Sequence, residues 1–121
     1  MHRQTKHTAI PAKVKRAVAL RDCSHGLATC IICGRPGLPN AHIVRRSQGG
    51  MGVEQNIVSL CPECHYSLDE GLYLGRLKPF GLTTQQEVRE YVINYIKGFY
   101  HDWTEESVKY KKWEEQYVNQ D

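Results

Sequence analysis

No apolar run in this chain approaches the roughly 20 residues that a membrane span requires. The opening residues, Met1-His2-Arg3-Gln4-Thr5-Lys6, also lack the apolar stretch of a secretory signal. Both absences point to a soluble protein of the reducing cytoplasm (the host cytoplasm if it is phage-encoded), with no membrane as partner. Acid is scarce on one side of the chain. Residues 1–53 hold nine Lys/Arg against one acid, Asp22, a net of +8; the remainder holds seven against twelve, a net of −5, and the whole chain is +3. A basic front half is an electrostatic footprint for a polyanion such as nucleic acid, and equally the pattern of a solvated face. Internal repeats and low-complexity segments are missing too. With 121 residues there is room for one domain and a modest core, a size at which a metal or another staple is common.

Five cysteines are present, and the missing secretory signal decides how to read them. Disulfides belong to oxidising compartments. In a reducing one, Cys30-Ile31-Ile32-Cys33 and Cys61-Pro62-Glu63-Cys64 read as two metal knuckles. Four thiolates around tetrahedral zinc make a closed structural site with no position left for water or substrate. The alternatives are buried thiols that happen to be paired, or a redox protein; the latter expects one Cys-x-x-Cys in a βαβ setting rather than two around a loop. Cys23 is the spare thiol, and it or His25 could substitute as a ligand, though a lone Cys or His beside a knuckle is more often a loop or core residue.

The rest of the chain falls into place around these knuckles. Residues 1–9 are polar and basic and read as a flexible arm. Pro11 followed by Val14, Ala17, Val18 and Arg21 predicts a short amphipathic helix over 11–21, with Lys13, Lys15 and Arg16 on its solvent or DNA side. Ala28–Ile32 and Leu38–Val44 predict short strands, and Ile57–Leu60 a third extended piece. Cys61-Pro62 opens a helix to about Glu70 with Gly71 as its C-cap. Thr84 and Glu87 make the spacing of a capping box for a helix carrying Val88, Tyr91, Val92, Tyr95 and Ile96 on one face. Asp102 to Glu106 offers a start for a last helix through Val108, Trp113, Tyr117 and Val118. The expected organisation is an arm at 1–9, a core at 10–72 and a helical extension at 73–121.

Between the knuckles stand Ala41-His42-Ile43-Val44, Gly49-Gly50 and Asn56-Ile57-Val58-Ser59-Leu60, and His65 follows Cys64 directly. In this the sequence resembles the HNH endonuclease family over about residues 10–72, and most of all its phage and prophage members with two knuckles. The resemblance implies an α+β fold: a small ββα-metal core stapled by the four-cysteine zinc site, flanked by an N-terminal helix and C-terminal helices. It also implies a metal-dependent DNA endonuclease or nickase, a phosphodiester hydrolase with little sequence preference. Phage packaging proteins are partners that the resemblance alone suggests.

Residue roles follow from the same resemblance. His42 stands where the family keeps its general base, and a neutral imidazole can take a proton from water near pH 7. Asn56, at the central position, would pin the loop that carries His42. His65 stands where the family binds its catalytic metal, and Asp69, four residues on, projects from the same helical face. A His and a carboxylate so placed suit Mg²⁺, Mn²⁺, Ni²⁺ or Zn²⁺. Arg45 and Arg46, before the glycines, would grip phosphates and, with Lys13, Lys15, Arg16 and Arg21, form a basic track for DNA. Taken singly, His42 reads as a hydrogen-bonded structural residue, Asn56 as a turn residue and Asp69 as a solvated carboxylate. His65 alone could be a substitute zinc ligand. One departure stands out: the family usually has a metal ligand where this chain has Ala41. Then His65 and Asp69 hold the ion with waters and phosphate oxygens, or Asn40 substitutes, or catalysis is impaired and the protein is a zinc-binding DNA-association module.

Overall fold

The structure, a computed structural model, describes residues 3–110. A short helix α1 (Arg3–Thr8) opens it. The segment read as a flexible arm therefore has structure of its own, because the loop beyond β3 holds its end: Gly52 N–H donates to His7 O at 3.0 Å, and Thr8 is buried. Helix α2 (Ala12–Arg21) starts one residue after the expected position, with Pro11 as an extended N-cap. Its Val14 and Val18, one turn apart, bury one face against Ile57 and Ile10. Each such side chain, fully buried, contributes about 1.5–3 kcal/mol.

Helix α2 leads into a tight hairpin of β1 (Cys23–Ser24) and β2 (Leu27–Ala28). Between them His25 at φ 54° and Gly26 at φ 80° both take left-handed backbone, the arrangement of a two-residue type I′ turn. The strand expected over Ala28–Ile32 is correspondingly shorter and ends at Ala28. Beyond it the chain must turn back at the first knuckle, where Gly34 (φ 79°) donates its N–H to Cys30 O at 3.1 Å.

The central hairpin pairs β3 (Leu38–His42) with β4 (Ile57–Leu60) antiparallel. Leu38 lies opposite Leu60, Ala41 opposite Val58 and His42 opposite Ile57, with an irregularity between Leu38 and Ala41. Three residue steps on β3 thus match two on β4, which puts a bulge at Pro39–Asn40; proline, having no N–H to give, suits it. Directly opposed residues share a face. Val58, and with it Ala41, joins the main core of Ile43, Val44, Leu60, Leu68, Leu77, Val88, Val92, Ile96, Trp103 and Val108. Ile57, and with it His42, faces α2.

Helix α3 (Pro62–Glu70) is capped by the Cys61 side chain at one end and by left-handed Gly71 (φ 70°) at the other. Helix α4 (Gln85–Lys97) carries the complete Thr84–Glu87 capping box and packs on α3. The expected last helix is, within the described residues, a single 3-10 turn at Glu106–Val108; Trp113, Tyr117 and Val118 lie outside those residues. Among the described residues no helix is long and apolar enough to cross a membrane.

A buried polar knot locks these layers. The Asp22 carboxylate accepts from Arg21 Nε at 2.8 Å, from Ser59 N–H at 2.8 Å and from Tyr95 OH at 2.6 Å. Arg21 also donates to Glu54 O at 2.8 Å and Ile57 O at 2.6 Å. Helix α2, the hairpin and α4 are held together by a charge pair whose hydrogen bonds are met, the condition for burying one at all. Arg21 therefore leaves the expected basic track: its side chain is turned inward, 9 % exposed.

Candidate active site and metal centre

Two clusters of metal-type donors flank α3. On the core side, the sulfurs of Cys30, Cys33, Cys61 and Cys64 all lie within 4.8 Å of one another, and Cys33 and Cys61 Sγ are 3.6 Å apart. Ligands about 2.3 Å from a tetrahedral ion sit about 3.8 Å from each other, so the four sulfurs fit one ion. The Cys64 amide N–H points at Cys61 Sγ from 3.5 Å. The four crowded thiols compete for protons: hydrogen bonding from Cys64 pulls the Cys30 thiol down. The same hydrogen bond, with burial, pushes Cys64 up. A divalent ion resolves that competition by favouring the thiolate at every position. Cys23 and His25 sit exposed on the β1–β2 hairpin, outside the sulfur group.

One neighbour of the sulfurs escaped the sequence reading. Arg76 donates to Cys64 Sγ at 3.4 Å and Cys61 Sγ at 3.8 Å, and these sulfurs hold its guanidinium more firmly charged than usual. Four thiolates and one divalent ion carry a net −2, so a cation hydrogen-bonded to the sulfurs both neutralises and orients them. Nothing in the spacing marks Arg76; it is brought there by the turns after Gly71.

The second cluster lines an open cleft of about 600 Å³ between β3, the loop after it, α3 and the start of α2. His42, His65, Asp69, Arg45, Arg46 and Lys15 all border it, with Asn40 and Glu70. Lys13 and Arg16 are exposed on α2 but are not part of its wall. On α3, His65 Nε2 and Asp69 Oδ2 converge to 3.0 Å, as residues one helical turn apart can. The two are a nitrogen and an oxygen donor, both reachable by solvent, and they suit a divalent ion with open positions.

His42 is half-buried on the opposite wall. Its Nε2 is 2.8 Å from Thr8 O. A carbonyl only accepts, so Nε2 carries the hydrogen and the ring's lone pair is left on Nδ1. Burial, more than any neighbour, lowers the pKa of His42. The nearby Arg46 adds to this; the Thr8 carbonyl and Asp69 oppose it. Burial thus favours the neutral ring, in one tautomer, in the cleft that His65 and Asp69 also line.

Asn56 lies beneath, fully buried. Its Oδ1 accepts from Val44 N–H at 2.8 Å, and Nδ2 donates to Val44 O at 3.1 Å and Met51 O at 3.0 Å. These bonds clamp the loop after His42 to β4. Gly50 is required by the same clamp: a Cβ there would stand 1.7 Å from Val44 O and 2.9 Å from Asn56 Nδ2. Arg45 donates to Asp69 O at the end of α3, where a cation meets unpaired helix carbonyls.

Ala41 is wholly buried on the core face and does not border the cleft. Asn40, re-aimed by the bulge, does border it. Thr8 was invisible to sequence reasoning, since a backbone carbonyl has no residue-type signature.

One family model matches the chain, that of the HNH endonucleases, over residues 30–69. No curated protein and no solved structure matches.

Proposed function

We propose that this chain, which carries an HNH endonuclease domain over residues 30–69, is a metal-dependent DNA endonuclease or nickase with little sequence preference, its fold stapled by zinc on the four cysteines. What supports the reading most is the meeting in one cleft of a neutral imidazole, its free lone pair on Nδ1, with the convergent His65–Asp69 pair.

Lys15, Arg45 and Arg46 draw the sugar-phosphate backbone into the cleft; such contacts position DNA without reading its sequence. His42 Nδ1 takes a proton from a water as that water's oxygen attacks phosphorus. The bond from phosphorus to the 3′ oxygen breaks, the leaving oxygen takes a proton from solvent, and the products are a 5′ phosphate and a 3′ hydroxyl. His65 and Asp69, with Asn40 at hand, would hold a divalent ion such as Mg²⁺, Mn²⁺, Ni²⁺ or Zn²⁺. When bound, that ion supplies stabilisation of the negative charge developing on the phosphate and leaving oxygens. Asn56 keeps the loop of His42 in place through Val44.

The test is nicking of supercoiled plasmid with each metal added to protein that keeps its zinc. Metal-dependent conversion to open circles is expected. The His42→Ala variant is expected to lose about 10²- to 10⁴-fold in rate, the usual worth of a positioned general base, with its bound zinc unchanged. Undiminished cutting by that variant would remove His42 as the base.

One observation favours a second reading. Ala41 supplies no donor at a position that usually holds one, and its side chain lies buried on the core face, away from the cleft. A zinc-stapled DNA-association module without catalysis would bind the plasmid and never nick it, whatever metal is added.

A further inference from the structure

A smaller hollow of about 250 Å³ opens beside the cleft, between the start of β3 and the outer face of α3. The two share Asn40, His65, Asp69 and Glu70. Their remaining walls differ in kind. The cleft has Lys15, Arg45 and Arg46, whereas the hollow has, among the described residues, no lysine or arginine and is closed by Leu38, Leu60, Pro62 and Tyr66. Leu38 and Tyr66 are 58 % and 49 % exposed, a large apolar presentation for side chains that have a core within reach. The ring of Tyr73, itself 56 % exposed, stands edge-on to that of Tyr66 at 6.0 Å. Tyr73 keeps that position with φ 59°, a left-handed backbone that bulky residues rarely adopt and that costs of order 1–3 kcal/mol.

With Asp69 and His65 turned over to the ion of the cleft, a phosphate entering this hollow would still meet the Glu70 carboxylate and apolar walls. No lysine or arginine stands among the described lining residues to bind it. An uncharged, flat ring with amine groups on its edge would instead find the Tyr66 ring, apolar walls and the Glu70 carboxylate as an acceptor. We propose that the hollow is a stacking subsite for one unpaired nucleobase of the strand whose backbone occupies the cleft, so that single-stranded, gapped or branched DNA is preferred to intact duplex. A base within a duplex is held by its partner and its neighbours, and withdrawing it costs free energy that an already unpaired base does not spend. Stacking on an aromatic side chain is tolerant of base identity, which agrees with a site that does not read sequence. The inference rests on the DNA-cleavage reading for the strand in the cleft.

Binding separates the two. The zinc-loaded His42→Ala protein is titrated by fluorescence anisotropy, at one salt concentration, against a labelled single strand and against its duplex. The single strand is expected to bind at least several-fold more tightly. Adding Tyr66→Ala should weaken the single strand about tenfold and leave the duplex nearly unchanged, while Tyr66→Phe, which keeps the ring, should behave as the parent. The side chain is solvent-facing, so zinc content should not change; Leu38→Ser, at the other end of the hollow, gives an independent second loss. A 2-aminopurine in the single strand should quench on binding and stay bright with Tyr66→Ala. Equal affinity for strand and duplex, equal losses on both, or quenching that survives Tyr66→Ala would overturn the subsite. Selective single-strand binding, together with no nicking by the unsubstituted protein with any added metal, would instead retain the subsite and remove the catalytic reading.

Discussion

The two donor clusters of this protein sit on opposite sides of one helix and are built by opposite rules. The sulfur cage is buried, three of its four cysteines almost wholly, and its donors come from two rigid turns that aim amides at them. The cleft is open, its donors are half-exposed, and the imidazole of His42 is held by contacts from distant segments: Thr8 of α1 through a carbonyl, and Asn56 through the loop after β3. A structural ion needs every coordination position filled and water excluded. A reacting one needs vacancies and access. The same α3 serves both because Cys61 and Cys64 lie at its buried start, while His65 and Asp69 fall on its outward face.

Emptying the sulfur cage of metal should break this contrast most severely. Free energies of zinc binding in small domains, about 10–16 kcal/mol, are largely folding free energy. Chelation, or Cys61→Ser, is therefore expected to abolish the cooperative thermal transition followed by circular dichroism, and with it any nicking. A cage that can be emptied without loss of the melting transition would show that the apolar core suffices alone. Asn56→Ala comes next. It strands the buried Val44 N–H and O and Met51 O, each costing about 1–3 kcal/mol. A loss of about 3 kcal/mol in denaturant titration is expected, with a drop in nicking larger than the fraction unfolded explains.

Arg76→Ala probes the cage from outside. Partners of metal ligands are commonly worth 10- to 100-fold in affinity, so zinc transfer to a chromogenic chelator should be favoured by about that factor while nicking at saturating zinc is kept. Equal retention in Arg76→Ala and the parent would reduce the arginine to a surface contact.

The smallest expected effect is on pH dependence. Because burial lowers the pKa of His42, its neutral form persists to lower pH than in a free imidazole. The nicking rate should rise with pH through an acidic limb centred below the usual histidine value of about 6.5. Arg46 contributes to that lowering, so Arg46→Gln should move the limb to higher pH. A limb at or above the ordinary histidine value would mean that another group is titrating.

Much of this was legible in the chain itself. The knuckles declared the cage through spacing alone, since two thiols three apart can meet one ion wherever they are placed. The capping box at Thr84 and the C-cap at Gly71 marked helix ends because those signals act within a few residues. His65 and Asp69 shared a face by helical period. The reading misplaced Arg21 and missed helix α1, and for related reasons. A guanidinium on an amphipathic helix reads as a surface charge until Asp22, Ile57 O and Glu54 O are found around it. A polar segment reads as mobile until Gly52 and His42 are found bonded to its carbonyls.

The amino-acid order by itself determined which groups could bind metal and which stretches could be helix or hairpin, because those properties depend on neighbours a few bonds away. Only the tertiary structure decided which ring nitrogen of His42 is free, that Ala41 faces the core while Asn40 faces the cleft, and that Arg76 reaches the sulfurs. Each of these depends on strand register or on a contact across 12 or more residues, and hydrogen bonding and burial act through space without regard to position in the chain.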